Sequence, residues 1–323
     1  MSMQFLKGFW YPIVRSRDLP QDRPLATLLL GEPLVLFRDS SGRPVCLHDA
    51  CPHFGAPLSL GTVQENTIAC PYHGWRFGEG GACQRIPSLP EHVPIPRNAR
   101  CRFAYPACEQ SGAVWVWTGD PAAPAPLVPP EGSVEPGWVH EVLVVEQETP
   151  HHIMIGGTVD YTHIAFMHTR SIGRRRPVRN PMEIELDRSH RFRMRLKDPE
   201  SPDGYNDMVF TFEPPCHIQI ATRPKPNWRL LANQYVVPLS ETRTRLILFL
   251  CRDWLTWNPL VSWQLRRFSL QILKEDTPIQ IGQYQRHASG DGDWSLPIRP
   301  DALSMEYRRW YNERRATAAP RSS

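Results

Sequence analysis

The stretch Leu47-His48-Asp49-Ala50-Cys51-Pro52-His53-Phe54-Gly55-Ala56-Pro57-Leu58-Ser59, answered by Cys70-Pro71-Tyr72-His73-Gly74-Trp75, decides how the first part of the chain folds. Each loop offers one thiolate and one imidazole, in the pattern Cys-x-His-x16-Cys-x2-His. A zinc ion is one reading, but structural zinc sites usually pair C-x2–4-C with H-x3–5-H, so that like ligands sit together. Here the ligand types are mixed within each loop. Two such loops facing each other give both cysteines to one iron of a [2Fe–2S] cluster and both histidines to the other. Neutral imidazole in place of two thiolates lowers the cluster's negative charge and raises its potential to roughly −150 to +300 mV, against about −400 mV for all-cysteine plant-type clusters. Gly55, Pro57, Gly61 and Gly74 let the backbone approach the sulfurs, and Trp75 is placed to shield them.

Working outward, Leu34 to Arg38 and Arg43 to His48 flank Asp39-Ser40-Ser41-Gly42, which reads as a hairpin turning on glycine. Trp75 to Phe77 runs into a glycine-rich turn, and Ala113 to Trp117 is another apolar strand. Residues 1–120 are therefore expected to form a small all-β domain. Pro121 to Pro136 is rich in proline and alanine, which marks 121–137 as a linker. Prolines number 34 of 323 residues, roughly twice the usual ~5%, which argues against a bundle of long helices. A net charge of +4 is too mild and too scattered to indicate nucleic acid. Arg174, Arg175, Arg176 and Arg179 form the single dense basic run, a solvated loop or a dock for an acidic ferredoxin. The chain shows no charged-then-apolar leader and no run of ~18 apolar residues, so a soluble, cytoplasmic protein without a membrane span is expected. Eight cysteines in 323 residues are too sparse for a secreted disulfide scaffold; in a reducing compartment close Cys/His groups point to metal, and Cys46, Cys83, Cys101, Cys108, Cys216 and Cys251 read as small packing residues.

Past the linker, Glu141 to Glu148, Met208 to Glu213, His217 to Thr222, Leu230 to Val237 and Arg245 to Cys251 read as an antiparallel sheet, placing a second domain at 138–315. The fold class is thus α+β, an all-β domain followed by an antiparallel sheet with helices. Asn258-Pro259 opens a helix by N-cap and first-position proline, with Val261, Leu265, Phe268, Ile272, Asp276 and Ile279 on one stripe and a kink expected at Pro278. Arg314 to Ser323 lacks anchors and reads as a frayed end, 316–323 as a tail. Asp160, His163 and His168 supply two imidazoles and a carboxylate, the donor types of a mononuclear Fe(II) oxygenase site with positions left open for dioxygen and substrate. On a straight helix, residues 163 and 168 lie about 140° apart, so the helix must bend, bulge or end between them. A carboxylate on the apolar stripe, Asp276, is costly to bury unless a metal or cation meets it. His151 and His152, and Phe210, Trp228, Tyr235 and Phe249 of the second sheet, are candidates for a pocket wall, with core packing the competing role for the aromatics.

The two Cys/His loops together with Val159-Asp160-Tyr161-Thr162-His163-Ile164-Ala165-Phe166-Met167-His168 resemble the Rieske non-heme iron oxygenases over nearly the whole chain. The resemblance implies Cys51, His53, Cys70 and His73 as cluster ligands, and His163, His168 and Asp276, from Glu275-Asp276-Thr277, as ligands of a mononuclear Fe(II). It makes Asp160 a bridging carboxylate that links His163 to His73 of a neighbouring subunit in a homotrimer. It also implies dioxygen as co-substrate, a small organic substrate, and electrons from NAD(P)H through a separate reductase or ferredoxin, since the chain carries no GxGxxG turn or second ferredoxin-like cysteine set. The single-chain form is similar to the monooxygenase and demethylase branch. Phe9-Trp10-Tyr11-Pro12, Pro214-Pro215-Cys216 and Tyr307-Arg308-Arg309-Trp310 are closer to the chlorophyllide a and pheophorbide a oxygenase-like branch. Gly157 departs from the family pattern, in which many members carry an asparagine close to the iron. A Rieske electron carrier, or a homologue that has lost the mononuclear iron, is the alternative.

Overall fold

The computed structural model describes residues 5–173, 183–187, 192–197, 208–289, 296–298 and 301–318. The chain divides into two compact units, Lys7–Val128 and Pro129–Ser323 with the residues before Lys7. The basic run from Arg174 to Arg179 lies outside the described residues.

In the first unit, eleven short strands form three antiparallel sheets. β1 (Trp10–Arg15) pairs with β11 (Ala113–Trp117), which pairs with β10 (Ala107–Gln110). β2 (Leu25–Leu29), β3 (Glu32–Arg38), β4 (Pro44–His48) and β9 (Ala104–Tyr105) form the second sheet. β5 (Thr62–Gln64), β6 (Thr67–Ala69), β7 (Arg76–Phe77) and β8 (Cys83–Arg85) form the third. The β3–β4 turn forms as expected: Gly42 takes φ +82°, and the Asp39 carboxylate accepts from the N–H and hydroxyl of Ser41 and the N–H and Nε of Arg43. Arg38, at the end of β3, is buried and donates to the carbonyls of Ser16, Leu19 and Gly42 and to Glu109 on β10. One guanidinium thus donates to three backbone carbonyls, of which Ser16 also accepts from the Leu19 N–H. The core of this unit includes Cys51 and Cys70 beside Val35, Phe37, Leu58 and Phe77. All eight cysteines are free thiols; Cys46, Cys101, Cys216 and Cys251 are buried and Cys83 and Cys108 half-buried.

In the second unit, β12 (Val139–Gln147) is followed by α1 (His151–Val159) and α2 (Ile164–Met167). β13 (Glu183–Asp187), β14 (Phe192–Lys197), β15 (Met208–Glu213), β16 (His217–Lys225), β17 (Trp228–Pro238) and β18 (Thr244–Arg252) follow. Together they make one seven-stranded antiparallel sheet in the order β12-β18-β17-β16-β15-β14-β13. Strand alternation sends Leu246, Leu248 and Leu250 to one face and Ile247, Phe249 and Cys251 to the other. The second face is covered in part by the segment read from composition as linker: the Glu131 carbonyl accepts from buried Asn233, and Gly132 packs tightly between Cys251 and Trp138.

α3 (Pro259–Ala288) begins as expected, with the Asn258 side chain accepting from the Leu260 N–H. It runs unbroken through Pro278, where the proline leaves the Lys274 carbonyl without its helical donor. The apolar stripe differs from expectation, since Phe268 and Ile279 are exposed and the buried residue of α3 is Gln280. For Phe268 the reason is that α3 spans an open chamber, which Phe268 lines, instead of resting on a filled core. α4 (Ala302–Ala318) corrects the frayed end expected from Arg314: Leu303, Tyr307 and Tyr311 anchor it to the core beside Phe212 and Ile218, so the helix carries past Arg314 and three residues into the 316–323 stretch.

Candidate active site

The two Cys/His loops are built alike. In the first, the Gly55 N–H donates to the Cys51 carbonyl and the Cys51 N–H to the Ala56 carbonyl; in the second, Gly74 donates to Cys70 and Cys70 to Trp75. Gly55 and Gly74 adopt φ of +75° and +71°, a conformation that favours glycine. Both thiols are buried while His73 is exposed, and the His53 and His73 rings approach to 4.7 Å between centroids. Trp75 stacks flat on His53 at 4.5 Å. Burial, then the neighbouring Cys70 thiol, pushes the Cys51 thiol up to about 11, so only a metal would hold it as thiolate at neutral pH.

These residues fit a two-iron cluster. His53 Nδ1 is buried with no hydrogen-bond partner, an arrangement that is costly unless a metal takes the lone pair. A single tetrahedral zinc would draw all four donors to within about 3.3–3.8 Å of each other, given bonds of about 2.0–2.3 Å. Among the described residues, the one group of three donors within 4.8 Å of one another is elsewhere, at His163, His168 and Asp276. The four loop donors are spread more widely than one ion would hold them.

In that second group, α2 resolves the spacing problem by its brevity: His163 caps its start and His168 its end, so the helix stops where the imidazoles must turn inward. His163 Nε2 lies 3.2 Å from His168 Nε2, and Asp276 Oδ1 lies 3.6 and 3.2 Å from these two nitrogens. The opposite nitrogens also face carboxylates. Asp160 Oδ2 is 3.6 Å from His163 Nδ1, and Glu275 Oε2 is 2.8 Å from His168 Nδ1. The Glu275 carboxylate favours the proton at His168 Nδ1 and leaves Nε2 free toward His163 and Asp276, while Asp160 faces His163 Nδ1 at a longer distance. Asp160 is itself fixed by the N–H and hydroxyl of Thr162, and Glu275 by Gln271 and Ser171. Burial is the largest influence on His168 and lowers its affinity for a proton, but the hydrogen bonds and charges of Asp276 and Glu275 together outweigh it and raise its pKa. Asp276 differs from the expected burial among apolar side chains, because it turns to the two histidines.

Glu275 was not singled out by sequence reasoning. Its neighbour Asp276 carried the stripe argument, and the role of Glu275 depends on which side of α3 meets His168. Also unforeseen is a polar link beside the triad, in which Gln147 donates to Gln280 Oε1 and lies 3.1 Å from the Thr277 hydroxyl. A side chain on Gly157 would meet Gln280 Nε2 at 2.8 Å, so the amide of Gln280, delivered from α3, fills the space beside Gly157.

The triad opens into a cavity of about 500 Å³ whose walls are largely apolar, including Phe210, Leu230, Leu246, Leu248 and Leu265. Of the residues considered as pocket wall, Phe210 lines it. Trp228, Tyr235 and Phe249 do not; Trp228 stacks on Trp254, and Tyr235 and Phe249 pack on the other face of the sheet. His151 and His152 also stay outside the cavity, with His151 buried against Tyr311.

This combination of a Cys2His2 double loop with a two-histidine, one-carboxylate group defines a class, and comparison with known proteins agrees. The Rieske [2Fe-2S] domain family matches residues 9–98, and the vanillate O-demethylase oxygenase C-terminal domain family matches residues 148–317. The chain belongs to the Rieske non-heme iron oxygenases. It is 34% identical to chlorophyllide a oxygenase of Chlamydomonas reinhardtii over 95% of this chain and 48% of that protein. It is 33% identical to the iron-sulfur subunit of the toluene-4-sulfonate monooxygenase system of Comamonas testosteroni over 52% of this chain and 48% of that subunit. The chain spans about half the length of the curated relatives it matches. Its fold superposes on dicamba monooxygenase bound to dicamba with a TM-score of 0.84 at 21% identity, covering 98% of this chain and 99% of the other. Among the described residues, no helix is long and apolar enough to cross a membrane.

Proposed function

We propose that the chain is a terminal oxygenase which, with electrons drawn from NAD(P)H by a separate reductase or ferredoxin, uses dioxygen to hydroxylate or oxidatively demethylate a cyclic or aromatic organic small molecule. The observation that carries this reading is the convergence of His163 Nε2, His168 Nε2 and Asp276 Oδ1 within 3.2–3.6 Å at the wall of an apolar cavity. Cys51, His53, Cys70 and His73 would hold the cluster, and His163, His168 and Asp276 the ferrous ion. Bound there, the cluster supplies electrons singly and the ferrous ion supplies oxygen activation.

The chain's own residues do the rest. Glu275 holds the His168 proton at Nδ1, Asp160 faces His163 Nδ1, and the apolar walls exclude water from the reacting carbon. We place the chain in a homotrimer in which Asp160 reaches His73 of the partner subunit. In support, His73 is exposed and Asp160 keeps a third of its side chain accessible, as the two ends of such a contact require. Several matched relatives are chloroplastic proteins, and the free thiols suit either the cytoplasm or a plastid stroma.

The electron-carrier alternative has no use for a three-donor group beside a cavity. The test is a His163→Ala variant assayed by coupled oxygen uptake with a reductase and a substrate panel. Loss of product with the cluster's visible spectrum intact supports the oxygenase, and unchanged turnover refutes it.

A further inference from the structure

The ends of the cavity differ in chemistry, and strand register shows which is which. Gln147, which bonds Gln280 and approaches Thr277 beside Asp276, pairs with Thr244, and Thr244 with Pro238. That row marks the triad end. At the other end, Arg252 pairs with Leu230 and Leu230 with Thr222, eight residues further along β18. At ~3.4 Å per residue the two rows stand about 27 Å apart along the strands. Helix α3 gives the same direction. Leu265 packs with Leu230 on the Leu248 and Leu250 cluster and precedes Asp276 by eleven residues, about 16 Å of helix at ~1.5 Å per residue.

Arg223 follows Thr222 at this far end and lines the cavity; among the described residues it is the single arginine or lysine that does so. Neighbouring cations are otherwise engaged. Lys225 lies over Trp228, Arg229 pairs with Asp253, and buried Arg252 donates to Asn258 and Ser262 at the start of α3. Arg223 is exposed and makes no hydrogen bond, ion pair or ring contact among the described residues. Trp254 lines the same end, stacked on Trp228, with its indole N–H buried and lacking a hydrogen-bond partner. Among the described residues, Arg223 is thus the cation left without a partner where an apolar chamber meets solvent. A guanidinium is a planar fork matched to a carboxylate, and an apolar surround strengthens the pairing.

Building on the oxygenase reading above, we propose that Arg223 is the substrate-recognition residue of this cavity. The substrate is then a ring-bearing carboxylic acid whose apolar body separates the acid at Arg223 from the carbon presented to the triad. A neutral ring compound, or a short acid confined to one end, leaves one of the two ends unused.

The experiment is a fluorescence titration of the purified holoenzyme with 1-pyrenebutyrate and with its neutral counterpart 1-pyrenebutanol, with iron and cluster content measured on the same samples. Wild type should bind the acid about tenfold more tightly than the alcohol, and Arg223→Gln should remove that preference without changing affinity for the alcohol. Arg223→Lys should restore part of it, and Ala232→Trp, which fills the chamber, should weaken both ligands. Equal affinity for acid and alcohol in wild type, or acid binding that survives Arg223→Gln, overturns the proposal. Because the titration needs no turnover, the two readings fail separately: a protein with full metal and no acid preference refutes the role of Arg223, and one that prefers the acid but holds no mononuclear iron refutes the oxygenase.

Discussion

At the scale of single residues, the candidate iron site is held by carboxylates behind the ligands. Glu275, 2.8 Å from His168 Nδ1, is the more closely placed of the two. Glu275→Gln keeps the shape but removes the charge that fixes the ring's tautomer, so affinity for the mononuclear iron should fall by about 10–100-fold. Titration with Fe(II) against a chelator measures this, and unchanged affinity would show that Glu275 only packs. Gly157 is the reverse case. Gly157→Asn should displace Gln280 and weaken iron binding, and Gln280→Ala in the same chain should relieve the collision; if the single variant binds iron normally, the two side chains do not compete for that space. The candidate ligands His163 and His168 were legible from the resemblance of their motif to the family, and Asp276 also from its place as a carboxylate on an apolar stripe. Glu275, Gln147 and Gln280 were not, since each becomes meaningful only once α3 is laid against α1 and β12, and no local pattern encodes that crossing.

At the scale of elements, the first unit depends on how β3 is tied to its surroundings. Arg38→Met would remove the side-chain donor from the carbonyls of Leu19 and Gly42 and one of the two donors on the Ser16 carbonyl, and should cost about 1–3 kcal/mol in chemical denaturation followed by loss of cluster absorbance. The adjoining turn adds a pH dependence. The Ser41 hydroxyl, together with the backbone and side chain of Arg43, holds the Asp39 carboxyl at about 2 against its usual 3.8, while burial works the other way. A depressed folded-state pKa means that the unfolded chain takes up the proton first on acidification. The turn's contribution is therefore complete above about pH 4 and lost as pH falls toward about 2. The gap in urea midpoint between wild type and Asp39→Asn should narrow over that window, and a constant gap would contradict the assignment. Nine of the eighteen strands among the described residues and the start of α3 could be read directly, from alternation, from the Asp39–Gly42 turn and from the Asn258-Pro259 cap. The last helix could not, because Leu303, Tyr307 and Tyr311 acquire their anchoring role only when Phe212 and Ile218 stand opposite. The back of the sheet was equally hidden: a segment rich in proline reads as linker until Asn233 is seen to need the Glu131 carbonyl.

At the scale of the whole molecule, the proposed trimer makes two half-dead chains complementary. Assembled together, chains carrying Cys51→Ser and chains carrying His163→Ala should recover roughly a quarter of wild-type activity, half the chains being iron-competent and half of those facing a competent cluster across a closed ring. No recovery in assemblies shown to be mixed would place both centres of each electron path in one chain. Two metal centres with separate donor sets are the central claim, and iron counting tests them most directly when combined with the electron paramagnetic resonance signal of the reduced cluster. Wild type should hold about three irons per chain, and Asp276→Ala about two with the cluster signal unchanged and oxygen uptake abolished. About two irons in wild type, with oxygen uptake unaffected by Asp276→Ala, would contradict the account.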